Sequence, residues 1–440
     1  MGKTFFIRTY GCQMNFAESE RLRRLLEKSG WREAVTLDKT DALIVVTCSI
    51  RQKAENRATS FLESNKHLKE KGTIFCLTGC TANLHKEKIL KNLPFLDVVC
   101  GPNHLFKIPE ILDNYMPGKI IIETGETDSP FIQCIPSKRD ITMMVPVTKG
   151  CNNFCSYCVV PLARGRLQSK KPDAIIKEIS CAVSKGIRSV ILLGQNVNEY
   201  GNDFHTVYDF ADLLKDILKI EGIIRIGFVT SHPEDTKIKL LHVMAENSKI
   251  TRHLHMPVQS GSNRILRAMN RKYTIEKFLQ VVEEARKIMP EISITSDIMV
   301  GFPGETEKDF EETLLAVKKI RFTELFVFKY SARPMTKAAT FTDTVSKEEK
   351  ERRHRVILDT QKQITDEIMA SFTGKTIDVF VEKRSVKNPG QLLGRSIQGI
   401  PVSFESLKNL IGTIVKLKIT GHKEGILSGK ENEECLLQQD

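Results

Sequence analysis

The 440-residue sequence lacks any apolar segment long enough to cross a bilayer. Purely apolar runs such as ALIVV at 42–46 are far shorter than the roughly 20 residues of a membrane-spanning helix. The first residues lack the apolar stretch and small-residue cleavage site of a secretory signal. Solenoid repeats and low-complexity tracts are also missing. We therefore expect a cytoplasmic protein with no membrane partner.

Acidic residues are in deficit, with 54 Asp and Glu against 66 Lys and Arg, so the formal net charge is +12. A basic chain suits a polyanionic partner, most often a nucleic acid, although many Lys-rich proteins bind nothing in particular. Cysteine, in contrast, is plentiful at 11 residues. In a reducing cytosol, that number favours metal or redox chemistry over a disulfide framework.

The amino-terminal residues alternate strand and helix patterns, which predicts an open parallel α/β sheet. Three strand-like runs end just before a cysteine: Cys12, Cys48 and Cys80. Because the carboxyl ends of parallel strands share one edge, the three thiols are expected to converge there. Isolated thiols would instead be ordinary buried core residues. Cys100 also follows a strand-like run and is a competing or fourth candidate.

The central residues contain six further strand-like runs, nearly all separated by helical patterns: 142–147, 189–194, 224–229, 253–258, 292–300 and 324–331. Six such units predict a partial (β/α)6 barrel that is open on one side. A charged helical connector, 346–372, follows with a solvated face. The carboxyl-terminal residues change to short β-patterned runs, which predict a small all-β barrel.

The predicted boundaries are 1–120 for the open α/β domain, 121–140 for a linker, 141–370 for the partial barrel and 371–440 for the all-β module. Residues 371–430 carry ten Lys and Arg against four Asp and Glu. That excess favours RNA as the ligand of the module.

Three cysteines at C-x3-C-x2-C spacing follow the first strand of the predicted barrel: Cys151, Cys155 and Cys158. Three thiolates would leave one iron of a four-iron cluster open to a ligand, as catalytic metal sites require. A zinc site would need a fourth ligand nearby. The next cysteine is Cys181, and no histidine occurs from 106 to 204.

The segment CNNFCSYC resembles the signature of the radical S-adenosylmethionine (SAM) superfamily. Together with the amino-terminal cysteines and KNPGQLLGR at 387–395, the whole chain resembles the methylthiotransferases. The resemblance implies a SAM-binding [4Fe–4S] cluster on Cys151, Cys155 and Cys158, and an auxiliary [4Fe–4S] cluster on Cys12, Cys48 and Cys80. It also implies a carboxyl-terminal RNA-binding TRAM barrel.

Five further segments resemble the branch of this family that acts on tRNA bearing N6-isopentenyladenosine: TYGCQMN, KGCNNFCSYC, LLGQNVNEYG, MPVQSGSNRILRAMNR and DIMVGFPGET. That branch adds a methylthio group to C2 of this base at position 37. Sister enzymes act on threonylcarbamoyl-adenosine or on a ribosomal-protein aspartate, but Gln13-Met14 favours the first branch. The chain departs from the family pattern at Leu162-Ala163 and at Ala332, Met335 and Lys337.

Six residues at strand ends are candidates for SAM contacts, against the alternative of ordinary turn chemistry: Gly194, Gln195, Asn196, Ser231, Gln259 and Tyr330. Gly301, Pro303 and Gly304 would shape a close turn near SAM or merely end a strand. A basic run beside the SAM cysteines would contact RNA phosphates or carry surface charge: Arg164, Arg166, Lys170 and Lys171.

The implied partners are the anticodon loop of tRNA, an electron donor such as flavodoxin or ferredoxin, and an unidentified sulfur donor; we expect a monomer. The remote alternative is a non-catalytic, metal-containing RNA-binding protein. That hypothesis leaves the partial barrel and the open iron without a purpose.

Overall fold

The computed structural model describes residues 2–50, 52–127, 131–133 and 140–431. Cys134 and Cys435, for which the sequence shows no partner pattern, lie outside these ranges. Within them, no helix combines the length and the apolarity needed to cross a bilayer.

The amino-terminal unit is a six-stranded parallel sheet in the order β2-β1-β3-β4-β5-β6. Its strands are β1 Thr4–Tyr10, β2 Arg32–Glu33, β3 Ala42–Thr47, β4 Ile74–Gly79, β5 Val98–Cys100 and β6 Ile121–Glu123. Its helices are α1 Gln13–Lys28, α2 Gln52–Ser64, α3 Cys80–His85 and α4 Ile108–Asp113. Apolar side chains pack on both faces of the sheet, as expected where parallel strands are covered on two sides.

The central unit contains two three-stranded parallel sheets, β11-β10-β7 and β12-β13-β14, joined by a single bridge between Ile226 and Ile250. Its strands are β7 Thr142–Pro146, β8 Thr148–Lys149, β9 Gln168–Ser169, β10 Ser189–Leu193, β11 Arg225–Phe228, β12 His253–His255, β13 Ser293–Val300 and β14 Glu324–Lys329. The six parallel strands β7 and β10 to β14 confirm the predicted open six-stranded barrel.

The barrel helices alternate with these strands: α5 Val160–Arg164, α6 Pro172–Val183, α7 Phe210–Leu218, α8 Ile238–Glu246, α9 Asn263–Ala268, α10 Ile275–Ile288, α11 Glu307–Ile320 and α12 Lys347–Ala370. The predicted solvated connector is α12. One face of it is solvated, and on the opposite face Arg353, Ile357 and Gln361 are buried against α11 and β14.

The carboxyl-terminal unit is a closed five-stranded barrel in the order β15-β16-β17-β19-β18, which confirms the predicted all-β module. Its strands are β15 Thr376–Arg384, β16 Gln391–Ser396, β17 Pro401–Glu405, β18 Ile414–Lys423 and β19 Ile426–Glu431. It packs against the amino ends of the central strands. Arg252 donates its N–H to the Ile397 carbonyl at 2.8 Å, and Arg225 pairs with Glu382 at 3.2 Å.

Candidate active site

The three predicted amino-terminal thiols lie together at the carboxyl edge of the sheet. Cys12 immediately precedes α1, Cys48 follows β3, and Cys80 begins α3 directly after β4. The Cys48 thiol is hydrogen-bonded to both other thiols. Its hydrogen bond is the main reason that the pKa of Cys12 falls to about 6; burial opposes this shift, and the charge of Arg164 adds to it. Three thiols distant in sequence therefore form one group.

The other three cysteines lie half-buried in the loop between β8 and α5: Cys151, Cys155 and Cys158. Backbone N–H groups of Asn153 and Val160 approach the sulfurs of Cys151 and Cys158 at 3.5 and 3.4 Å. The guanidinium of Arg271 donates to the sulfur of Cys155 at 3.4 Å. Each sulfur therefore accepts an N–H. Burial outweighs these donors at two of the cysteines: it raises the pKa of Cys151 to about 11 and the pKa of Cys158 to about 12.

Arg164 connects the two groups of cysteines. It ends α5, six residues beyond Cys158, and its Nε donates to the sulfur of Cys80 at 3.2 Å. The same guanidinium binds both carboxylate oxygens of Glu18 on α1, at 2.6 and 2.9 Å. Both side chains are buried. A cation of the helix that directly follows Cys158 thus reaches the amino-terminal thiols.

This burial corrects both interpretations of the basic run. Arg164 and Lys170 are neither RNA contacts nor surface charges, because each is buried in an ion pair, with Glu18 and with Glu178 respectively. Arg166 and Lys171 remain exposed, and Arg166 lies over the Phe154 ring at 5.5 Å. The sequence could not distinguish the buried members, since their partners lie on other elements.

In each group, one cysteine directly follows a glycine whose backbone conformation and close neighbours leave no room for a side chain. Gly79 has φ +98°, and a Cβ there would lie 2.3 Å from the Thr47 carbonyl oxygen. Gly150 has φ +71°, and its Cβ would lie 2.0 Å from the Arg166 carbonyl oxygen. A side chain at either position would strain the backbone and move the neighbouring cysteine.

A cavity of about 1390 Å³ joins all three units. Its walls include residues from the amino-terminal sheet edge, the barrel interior and the carboxyl-terminal barrel: Cys12, Cys48, Gly227, His253, Asp297, Arg395 and Ile400. Sites for one small molecule usually occupy about 300–1,000 Å³, so this space is large enough for more than one ligand.

The predicted SAM contacts lie around the carboxyl ends of β10 to β14 and do not line this cavity. Near Cys151, three buried acceptors have no hydrogen-bond partner among the described residues: Gln195 Oε1, Asn196 Oδ1 and Glu199 Oε2. Burial and the charge of Asp235 raise the pKa of Glu199 to about 7. Buried acceptors without donors suit a ligand that brings amino or hydroxyl hydrogens.

The remaining candidates for SAM contacts differ in the contacts that they make within the protein. Gln259 is buried with φ +68°, a strained conformation for a residue other than glycine, and such strain concentrates at functional sites. Ser231 donates to Asn198 at 3.3 Å. The Tyr330 hydroxyl donates to the Ala338 carbonyl at 2.8 Å, within an apolar cluster that also contains Phe302. Gly194 leaves space for the Thr148 hydroxyl, which a Cβ would meet at 2.1 Å.

Sequence reasoning missed two arginines. Arg271 is the last residue of MPVQSGSNRILRAMNR, and the sequence assigns it no role. In the structure its guanidinium donates to the sulfur of Cys155. Arg333, in the loop that departs from the family pattern, donates to the Ile50 carbonyl at 3.0 Å and to Gln52 at 2.6 Å, beside Cys48. Met335 in that loop has φ +67°, a strained conformation for a residue other than glycine.

Cys100 is the predicted competitor for the amino-terminal group. It is fully buried at the end of β5, in the apolar cluster that contains Cys76. Burial raises its pKa well above the ordinary value, and Cys76 and Glu123 add to the effect. Cys100 is therefore in an environment that favours the neutral thiol, unlike Cys12.

The donor set fits iron–sulfur clusters. Backbone or guanidinium N–H groups donate to five of the six candidate sulfurs; the donors are Ile50, Asn153, Val160, Arg164 and Arg271. Among the described residues, no three His, Cys, Asp or Glu side chains converge as they would around a single metal ion. Thiolates of a four-iron cluster each bind a different iron, so such convergence is not required of them.

A parallel partial barrel with three cysteines at its carboxyl end, preceded by a thiol-bearing α/β sheet and followed by a small β-barrel, defines a radical SAM protein of the three-domain type. The sequence matches the Radical SAM superfamily over residues 145–317, Uncharacterized protein family UPF0004 over 4–101 and the TRAM domain over 370–430. Proteins of this superfamily use an iron–sulfur cluster and SAM.

Relatives extend the similarity over nearly the whole chain. The tRNA-2-methylthio-N(6)-dimethylallyladenosine synthases of Clostridium novyi and Carboxydothermus hydrogenoformans are each 40% identical. The alignments cover 97% of this chain, and 96% and 99% of those proteins. The chain belongs to the tRNA-2-methylthio-N(6)-dimethylallyladenosine synthase (MiaB) family.

Solved structures share the fold at low sequence identity. The radical SAM methyltransferase TsrM from Kitasatospora setae, with cobalamin and a [4Fe–4S] cluster, gives a TM-score of 0.56 at 13% identity and covers 77% of each chain. The cobalamin-dependent enzyme OxsB gives 0.53 at 12% identity, over 82% of this chain and 56% of that one. These similarities support the fold alone.

Proposed function

We propose that the chain adds a methylthio group to C2 of N6-isopentenyladenosine at position 37 of tRNA, giving 2-methylthio-N6-isopentenyladenosine. The observation that supports this most is that Arg164, at the end of the helix that follows Cys158, donates to the sulfur of Cys80 and pairs with Glu18, so the elements that carry the two groups of thiols are in contact. The relatives' names describe the same product, since dimethylallyl and isopentenyl denote one substituent here. A tRNA substrate would place the enzyme in the cytoplasm.

The two groups of thiols would hold two [4Fe–4S] clusters per chain. Cys151, Cys155 and Cys158 would hold the cluster that binds SAM, and this cluster with SAM would supply a 5′-deoxyadenosyl radical. Such a radical is needed because the aromatic C2–H is too weakly acidic for any side-chain base to deprotonate. The auxiliary group at Cys12, Cys48 and Cys80 would present the sulfur.

The chain's own residues position and enclose the reactants. Gln195, Asn196 and Glu199 offer unpaired buried acceptors beside Cys151, and we assign them to the amino and hydroxyl hydrogens of SAM. Ser231, Gln259, Gly194 and Tyr330 would shape the surrounding wall. The large cavity is lined by Cys12 and Cys48, so it would admit the base beside the amino-terminal thiols. Position 37 is in a loop and leaves the stack without opening a duplex.

The proposal is tested by nucleoside mass spectrometry after an anaerobic reaction of the reconstituted protein with SAM, a reductant and tRNA bearing N6-isopentenyladenosine. The 2-methylthio product is expected, and Cys12→Ala and Cys151→Ala should each abolish it. Cys12→Ala should still cleave SAM to 5′-deoxyadenosine, whereas Cys151→Ala should not. Cys100→Ala serves as the matched control and should retain both reactions.

If SAM is cleaved while the base remains unmodified, the substrate assignment is wrong. The threonylcarbamoyl base and the ribosomal-protein aspartate are then the next substrates to test. An electron donor such as flavodoxin or ferredoxin would replace the chemical reductant in the cell, and we propose that the protein acts as a monomer.

A further inference from the structure

A second, shallower cleft lies on the outer surface of the amino-terminal unit, between β1 and α2. We name it the arginine cleft. Its lining includes Tyr10, Lys53, Arg57 and Phe61, and we add Arg8, which contacts the same two rings from the adjoining large cavity. Its volume is about 520 Å³. The guanidinium of Arg8 lies 5.6 Å from the centre of the Tyr10 ring and 5.8 Å from that of Phe61, and Arg57 lies 5.2 Å from Tyr10.

The cations of this cleft are exposed and uncompensated. Arg8, Lys53 and Arg57 make no ion pair with any residue in the described ranges, although both arginines stack on rings. The side chains that line the cleft include none from Asp or Glu. By contrast, Arg164 and Lys170 are neutralised inside the protein. The arginine cleft therefore carries positive charge that only an external anion would balance.

The cleft is continuous with the candidate active site. Tyr10, Lys53 and Arg57 line both the cleft and the large cavity that contains Cys12 and Cys48, and Arg8 lines the large cavity next to them. A ligand whose reactive base lies in that cavity would extend past these side chains as it leaves. The groups that flank a base in a polynucleotide are phosphates, spaced along the chain on both sides.

The side-chain types favour RNA over an acidic protein as the occupant. Guanidinium groups bind phosphate oxygens through paired N–H donors, and their planes also stack on bases. The Arg8 guanidinium contacts the Tyr10 and Phe61 rings, and the Arg57 guanidinium contacts the Tyr10 ring. These contacts restrain both guanidinium groups before a ligand binds, so less conformational entropy is lost on binding. We propose that the arginine cleft binds the phosphates of the tRNA anticodon loop next to the modified base. This proposal rests on the proposed function.

The test measures the affinity of the full, cluster-loaded protein for tRNA bearing N6-isopentenyladenosine over a range of salt concentrations. Arg8→Gln and Arg57→Gln should each weaken binding and reduce the slope of log Kd against log[salt] by about 0.7–0.9, the value for one lost phosphate contact. Arg57→Lys should keep the slope. Lys28→Gln removes an exposed cation that lines neither cavity and should leave both quantities unchanged.

Iron content and melting temperature, measured on each variant, identify any loss of fold. A wild-type slope in both glutamine variants would overturn the proposal. A wild-type slope with slower reduction by flavodoxin would assign the cleft to an acidic protein instead. If the altered slopes appear but no methylthio product forms with the unaltered chain, the cleft binds RNA and the proposed reaction is wrong. If the product forms and the slopes do not change, only the cleft assignment fails.

Discussion

At the scale of single residues, Arg164 joins the helix that follows Cys158 to the amino-terminal thiols. Its positive charge is fully removed from water, which is costly unless the partners are well placed. Glu18 supplies the compensating charge, and the sulfur of Cys80 takes the remaining Nε–H. Hydrogen bonds to cluster sulfurs and nearby charge set the reduction potential of iron–sulfur clusters. Arg164 is therefore a positioning residue with an electrostatic effect on the auxiliary site.

We expect Arg164→Gln to lower the midpoint potential of the auxiliary cluster, because the variant removes a positive charge beside its sulfur. Potentials would be measured by redox titration followed by electron paramagnetic resonance. The variant should also lose stability, since breaking a buried ion pair from one side costs about 3–5 kcal/mol. The urea midpoint of unfolding reports that loss.

Arg21→Gln provides the control for this prediction. Arg21 on α1 pairs with Glu178 on α6 at 3.0 Å, also buried and also between the first two units, but it donates to no cysteine. It should lower the urea midpoint without moving either potential. An equal shift of potential in both variants would show that Arg164 acts only through packing.

The positions of the six cysteines can be predicted from the sequence, whereas the contacts of Arg164 cannot. Cysteine spacing and strand-end position predict the six thiols, because local pattern alone determines where a strand ends. Arg164 contacts Glu18 across 146 residues, and nothing local records that contact. Its neighbours in sequence indicate a basic surface run, and only tertiary packing decides which members become buried.

At the scale of elements, the junction of β4 and α3 sets the position of Cys80. Gly79 ends the strand with φ +98° and ψ −162°, a conformation essentially restricted to glycine, and it packs directly on the Thr47 backbone. Because Cys80 is the next residue, the direction in which its sulfur points depends on this junction.

We expect Gly79→Ala to displace Cys80 and prevent assembly of the auxiliary cluster. Iron analysis after reconstitution should give about four irons per chain instead of about eight, one four-iron cluster remaining. Gly72→Ala is the control, because Gly72 also has a positive φ of 81° but nothing within 4 Å of its added Cβ. It should cost about 1 kcal/mol and retain both clusters. Full iron content in Gly79→Ala would contradict the role of the junction.

Most elements of the two α/β units follow from periodicity, and the exceptions have a common cause. Residues 121–140 are predicted as a linker, yet β6, Ile121–Glu123, completes the amino-terminal sheet beside β5. In the carboxyl-terminal barrel, β16 and β19 are short, and each contains a glycine. Their strand conformation depends on pairing with β17 and β18 rather than on local preference.

At the scale of the whole molecule, the three units form a single site rather than three separate modules. The carboxyl-terminal barrel covers the amino ends of the central strands, and Arg395 and Ile400 reach the same cavity as Cys12. The sequence predicts each unit, but it carries no local signal for their contacts. Arg252, Ile397, Arg225 and Glu382 are unremarkable in sequence and become an interface only in the folded chain.

We expect tRNA bearing N6-isopentenyladenosine to slow backbone hydrogen exchange in peptides from all three units at once: 8–16, 227–230 and 395–401, each of which contributes to the cavity wall. SAM alone should protect 195–199, where the unpaired acceptors lie, and leave 395–401 unchanged. The measurement is exchange mass spectrometry of the cluster-loaded protein. Protection by tRNA confined to 395–401 would show that the carboxyl-terminal barrel binds RNA independently, because one ligand that fills a shared cavity must shield every wall.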